Sequence, residues 1–172
     1  MLVVNLFGAP GAGKSTGAAY IFAKLKLAGV NAELVTEVAK DYVWDENYKV
    51  LKNQHLIFAQ QLQRVARLEG AVDVVITDSP LLLSVIYKPS TVTEVFDDVV
   101  FEEFNRFNNI NIVVKRVKEF NPVGRIHNQH ESDQLYGDIK KFLDDNDVKY
   151  NEVSGNIEGY DSIIADIVSK VS

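Results

Sequence analysis

Short runs of apolar residues alternate along the chain with longer stretches in which apolar positions recur every three or four residues, the pattern of βαβ units and a parallel sheet. The first run, Leu2 to Phe7, is broken only by Asn5, as expected of a strand covered on both faces. A helix is predicted from about Lys14 to Ala28, with Gly29 placed for a left-handed C-cap. A second strand over about Ala32 to Thr36 delivers Glu37 at its carboxyl end. From Tyr48 to Glu69, residues Leu51, His55, Phe58, Leu62, Val65 and Leu68 fall at spacings of three and four, which predicts the longest helix of the chain, ended by Gly70. Val72 to Thr77 reads as a third buried strand, stopped at Asp78-Ser79-Pro80 because proline cannot continue a central ladder. Thr91 and Glu94 form a capping-box pattern opening a helix to about Phe107, and Asn111 to Lys115 reads as a fourth strand. A second box, Asn128 with Glu131, opens a helix to about Asn146. Val148 to Val153 is predicted as an edge strand and Tyr160 to Val171 as a closing helix.

The composition fits one domain spanning residues 1–172: 47% hydrophobic and 24% charged residues give enough apolar surface for a single core, and the net charge of −6 is too small for a disordered chain. Disulfides, thiolate metal sites and a cysteine nucleophile are excluded because there is no cysteine. No apolar run reaches membrane-spanning length, so no membrane partner is expected. The N-terminus lacks a basic region ahead of its apolar run and reads as a strand, not a signal peptide, so a cytoplasmic protein is expected. A sequence pI near 5.1 argues against a body that holds DNA by charge alone; any nucleic-acid contact must be local.

Chemistry enters at Gly8-Ala9-Pro10-Gly11-Ala12-Gly13-Lys14-Ser15, a full G-x-x-x-x-G-K-[ST] between a buried strand and a helix. Glycines at 8, 11 and 13 let successive backbone N–H groups turn inward, and the following helix N-terminus adds partial positive charge, so the loop suits a polyphosphate. Lys14 is expected on the β and γ phosphates, Ser15 on Mg²⁺, and Thr16 either on the α-phosphate or as an ordinary first-turn residue. Asp78, at the end of Val74-Val-Ile-Thr77, stands where a second acid holds magnesium; the alternative is an Asp capping the turn before Pro80. Glu37, at the mouth of the second strand, is placed to accept the proton of an attacking hydroxyl, with Lys40 orienting it or the acceptor; the alternative is a helix-starting acid paired to the dipole or to Lys40.

The segment from Arg116 to His130, with Pro122 and Gly124, carries Arg116, Lys118 and Arg125 beside Lys115 against only Glu119. It reads as a basic lid whose Arg116 and Arg125 neutralise charge on a transferring phosphoryl group, or as a solvated loop balancing acidic neighbours. Gln54, Gln61 and Arg64, spaced by seven and three, share similar faces of the long helix and present hydrogen-bonding groups to an acceptor or to solvent. Tyr42 and Trp44 either stack on an aromatic ring of the acceptor or close the core. His55, His127 and His130 have no metal-ligand spacing.

Gly8 to Ser15, Glu37-Val-Ala-Lys40, Asp78-Ser-Pro-Leu-Leu-Leu83 and Asn121-Pro-Val-Gly-Arg125 followed by Gln129 and Glu131, read in order, make the chain resemble a small P-loop kinase. More narrowly it resembles bacteriophage-encoded AAA-like small ATPases related to nicotinamide riboside kinases and deoxynucleoside kinases, some of which act on 5-hydroxymethyluracil in phage DNA. The resemblance implies an α/β three-layer P-loop NTPase fold with a five-stranded parallel sheet in the order 2-3-1-4-5, ATP and Mg²⁺ at Gly8 to Ser15, and an arginine-bearing lid at Arg116 to Arg125. Related sequences often carry arginine where this one has Lys40, a point charge in place of a planar fork.

The leading functional expectation is an ATP- and Mg²⁺-dependent kinase. It would move the γ-phosphoryl group to a hydroxyl of a nucleotide-like acceptor, with the 5-hydroxymethyl group of a modified uracil in single-stranded or flipped-base DNA as the most specific candidate. In that scheme Glu37 or Asp78 accepts the proton. A kinase for a free nucleoside or nucleoside monophosphate uses the same donor site with a closed acceptor pocket. A regulatory ATPase or nucleotide switch has no acceptor at all.

Overall fold

The computed structural model describes residues 1–119 and 128–171. Five strands, β1 (Leu2–Phe7), β2 (Ala32–Val35), β3 (Val74–Thr77), β4 (Asn108–Lys115) and β5 (Asn151–Ser154), form one sheet in the order β2-β3-β1-β4-β5 with every pairing parallel. The two-residue period of β1 divides the interior. Leu2, Val4 and Leu6 point into a core shared with Ile21 and Leu25 of α1 (Lys14–Leu27) and Ile163 and Ile167 of α8 (Ile157–Val171). Val3 and Phe7 point the other way, against Phe58 and Val65 of α4 (Gln54–Ala66), Val100 and Phe104 of α6 (Glu94–Asn105) and Leu143 of α7 (Gln129–Asp145). The uninterrupted apolar reading of the first strand therefore corresponds to helices on both faces, the three-layer α/β fold expected.

Asn5 is buried because β4 answers it. Its Nδ2 donates to Asn109 Oδ1 at 2.8 Å and to Asn111 Oδ1 at 3.0 Å, while Asn109 Nδ2 donates to the carbonyls of Phe104 and Phe107. This network lets the polar run Asn108 to Asn111 pair with β1, so β4 starts three residues before the expected Asn111.

The expected long helix from Tyr48 to Glu69 is two helices, α3 (Tyr48–Leu51) and α4, and α7 is the longest among the described residues. The break falls at Asn53, whose side chain accepts from Leu56 N and caps α4. The buried stripe is also rotated: Gln54 and Gln61 are inside, and His55 lies outside with its ring 4.7 Å from that of Phe96. Two short helices, α2 (Val38–Trp44) and α5 (Leu83–Ile86), complete the α4 layer. The Thr91–Glu94 box is not made. A turn in which Val92 N donates to Pro89 O delays α6, and Thr93 becomes its N-cap without a side-chain bond. The Asn128–Glu131 box is made in full at α7. β5 forms the sheet edge, shifted toward the C-terminus of the expected strand.

Register places the chemistry. Thr77 pairs with Asn5 on one side and Val35 on the other, so the carboxyl ends of β1, β3 and β2 release Gly8, Asp78 and Glu37 from three adjacent strands onto one edge of the sheet. Ligands of open α/β sheets bind at that edge. Beneath it, α1 and α8 meet where Gly17 faces the ring of Tyr160; a Cβ on Gly17 would lie 2.5 Å from Tyr160 Cε1. Gly17→Ala is therefore expected to destabilise the protein by about 1–3 kcal/mol, read as a lower urea midpoint at unchanged m-value.

Candidate active site

The loop from Gly8 to Ser15 leaves β1 and enters α1 through glycines at φ +146°, +82° and +107° (Gly8, Gly11 and Gly13), the left-handed side of the backbone map. Gly13 is the N-cap of α1, which has no capping side chain and no acid in its first turn. The helix thus presents its positive end to the loop without internal neutralisation. The loop is buttressed from behind: Tyr160 Oη donates to Gly13 O at 3.0 Å, and Ser132 Oγ, in the first turn of α7, donates to Pro10 O at 2.7 Å. Lys14 Nζ crosses the loop to donate to Gly8 O at 2.7 Å and Ala9 O at 3.3 Å. Ala9 and Ala12 bury their side chains and shape the loop from the core side.

Asp78 follows β3 at only 4% exposure, and its Oδ1 has no hydrogen-bond partner. The turn that Asp78 was placed to cap is held by its neighbour, since Thr77 Oγ1 accepts from Ser79 N at 3.1 Å. A buried carboxylate oxygen without a partner is costly unless something cationic reaches it. A hard oxygen donor of this kind suits a divalent cation such as Mg²⁺; Ser15 and Ser79 line the cavity described below, whereas Asp78 is not on its wall.

Glu37 is the N-cap of α2, at φ −66° and ψ 122°, yet its side chain makes no capping bond. From this position at the start of α2 it lines the cavity with Lys40. Burial holds its carboxyl above the ordinary range; the Lys14 charge opposes this, Asp78 adds to it, and Lys40 and Asp41 act more weakly in opposite senses. Tyr87 is coupled to the same group: burial first, then the negative charge of Glu37, pushes its phenol up, so it stays a donor.

A cavity of about 330 Å³ joins the loop to Glu37, Lys40 and Tyr87. At one end are Pro10, Gly11, Gly13, Lys14, Ser15 and Thr16, whereas Gly8, Ala9 and Ala12 stand behind the wall. Glu37 and Lys40 lie along it, and the far end is lined by Val43, Trp44, Leu51, Gln54, Ile57, Leu83, Ser84 and Tyr87. Trp44 lines this end while remaining 61% exposed, so it does not close the core.

Other expected acceptor residues stand elsewhere. Tyr42 donates from its hydroxyl to Gln60 Oε1 at 2.9 Å. Gln61, at 3% exposure, and Arg64 direct their side chains to the β2–α2 turn, and none of the three is part of the cavity wall. Gln54 keeps a place on the wall while donating to Leu51 O. Arg116 is ion-paired with Asp133 of α7 and is also off the wall; from the same basic segment it is Lys118 that lines the cavity. Arg125 lies outside the described residues. Ser79, Leu83, Ser84 and Tyr87 were missed as wall residues; the Asp78-Ser-Pro-Leu-Leu-Leu83 stretch was an available signal for Ser79 and Leu83, and Ser84 and Tyr87 follow it. Ser132 and Tyr160 had none, because each reaches the loop from more than 100 residues away in sequence.

Among the described residues no helix is long and apolar enough to cross a membrane. No curated protein matches the chain. Solved structures with the same fold include deoxyadenosine kinase from M. mycoides with bound dATP, at TM-score 0.61 and 20% identity over 98% of both chains. The same enzyme with products dCMP and a flexible dCDP bound aligns at TM-score 0.59 and 20% identity, over 98% of this chain and 97% of the other. A family model described as an AAA domain matches residues 3–159, most of the length, and the chain belongs to that family.

Proposed function

We propose that the protein is an ATP-dependent kinase whose acceptor is a nucleoside or nucleotide. One observation carries the reading: a single cavity runs from the phosphate-binding loop, past the Glu37 carboxylate, to an apolar and aromatic wall with Trp44 and Tyr87. A hydrolase or switch needs only the first part of that cavity; a base-sized aromatic end suits a second substrate. The likeness in fold to a deoxyadenosine kinase supports the same reading.

In this reading the loop amides and Lys14 hold the β and γ phosphates of ATP, and Ser15 and Asp78 hold Mg²⁺, which when bound spreads the negative charge of the phosphate oxygens. Glu37 takes the proton of the acceptor hydroxyl as its oxygen bonds to the γ-phosphorus. The bond to the β,γ-bridging oxygen breaks and ADP leaves. Lys40 and Lys118 line the path and favour an acceptor or transition state carrying negative charge.

The 5-hydroxymethyl group of a modified uracil in DNA is a second acceptor reading. The exposed Trp44 with Lys40 and Lys118 on the same cavity favours it, since aromatic faces beside cations suit an unstacked base on a phosphate backbone. Incubation with γ-labelled ATP and nucleosides, monophosphates, unmodified DNA and hydroxymethyluracil DNA tests both. Label is expected on a nucleoside or monophosphate, with a KM that changes less than about threefold between low and physiological salt for a neutral nucleoside. Label on DNA alone, weakening steeply with salt, would replace the first reading with the second. ATP hydrolysis with label on none of them would leave a regulatory ATPase.

A further inference from the structure

Glu37 stands at the N-cap of α2 without capping it, and side chains from α4 hold the backbone on either side of it. The first turn of α2 leaves its amide donors without helical partners, and a Glu37 carboxylate turned back on them would satisfy one. Instead Gln61, reaching from α4, accepts from Val38 N with its Oε1 at 3.0 Å and donates from Nε2 to Thr36 O at 3.3 Å. One buried amide therefore grips the peptide groups on both sides of Glu37. Arg64, one turn further along α4, donates to the same Thr36 carbonyl at 3.2 Å and pairs with Asp41 of α2 at 2.7 Å, so the turn is tied at a third and a fourth point.

We infer that Gln61 is a positioning residue: by binding the carbonyl before Glu37 and the amide after it, it fixes the backbone at Glu37 and so holds the Glu37 carboxylate on the cavity. The inference rests on the reading of Glu37 as the group that serves the reaction. A primary amide is suited to the task because it supplies an acceptor and a donor on two separate atoms in a single plane, matching an N–H and a C=O two residues apart; an ionised carboxylate has no donor, and a hydroxyl places both functions on one oxygen. Burial raises the stakes, since losing the amide leaves Val38 N–H without its acceptor and Thr36 C=O held by Arg64 alone.

Gln61→Met keeps the length and apolar stem but removes both bonds. In this variant the Val38 amide is expected to exchange with solvent at least about tenfold faster than in the wild type. ATP turnover, counted as label transferred to acceptor or released as phosphate, is expected to fall by about ten- to a hundredfold, with KM for ATP within about twofold. In a Glu37→Gln background the same substitution is expected to change turnover by less than about twofold, because Gln61 acts through Glu37. Gln61→Glu retains an acceptor for Val38 N–H and is expected to keep most of the exchange protection. Equal Val38 exchange in wild type and Gln61→Met, or a full loss of turnover that persists in the Glu37→Gln background, overturns the inference. A wild type that releases label only as phosphate fails the kinase reading while leaving both the exchange comparison and the double-mutant cycle decisive for Gln61.

Discussion

Lys14→Ala is expected to lower ATP-dependent phosphoryl transfer by at least about 10²–10³-fold, because it removes the one fixed cation of the loop from the phosphates on which negative charge develops. The fold should survive. Lys14 Nζ donates to the loop carbonyls of Gly8 and Ala9, and such bonds contribute about 0.5–1.5 kcal/mol each. The buttresses from Tyr160 and Ser132 do not involve the lysine side chain. The check is transfer of γ-labelled phosphate alongside a thermal melt. Transfer near the wild-type rate in a folded variant would take the donor role away from this loop.

Glu37→Gln is expected to lower kcat by about 10²–10⁴-fold while leaving KM for ATP within a few fold, since the carboxylate meets the acceptor hydroxyl and not the phosphates. Burial raises the pKa of Glu37, so the reactive, ionised form dominates only above an upward-shifted pKa. The wild-type rate should therefore climb with pH through a value above the ordinary carboxylate range, and the Gln variant should lose that limb. Stability should run the opposite way. The folded protein binds this proton more tightly than the unfolded chain, so the stabilisation is complete below the unfolded pKa and is lost as pH rises through the folded one. Above the folded pKa the ionised Glu37 is thus a destabilising group, and in that range Glu37→Gln should melt higher than the wild type even as it turns over more slowly. A lower melting temperature with unchanged turnover would make Glu37 a structural acid.

These opposite signs describe how the site is built. Asp78 keeps a buried oxygen without a partner, Glu37 sits in a cap position without capping, and α1 begins without a capping side chain. Each is locally unfavourable and each faces the same edge of the sheet. Support comes from elements distant in sequence: Gln61 and Arg64 secure the Glu37 turn, Thr77 holds the turn beyond Asp78, and Tyr160 and Ser132 hold the loop. A scaffold that satisfies the backbone around the functional groups leaves their side chains available to ligand.

The chain's own pattern was enough to determine the α/β class, the buried central strand, the phosphate-binding loop and the acids at two strand mouths. Those features are local: a two-residue or 3.6-residue period, a glycine spacing and a proline stop are written in consecutive residues. Tertiary structure decided what the polar residues of the apparently uniform Tyr48–Glu69 run do. Asn53 breaks it as a cap, Gln54 reaches the cavity, and Gln61 and Arg64 turn to the β2–α2 backbone. In the same way Asn108 to Asn111 became strand because Asn5 lies opposite, and Arg116 turned to Asp133, leaving Lys118 on the cavity. Helical spacing fixes which residues share a face but not what faces them, and a polar side chain takes its role from the partner it meets across the fold.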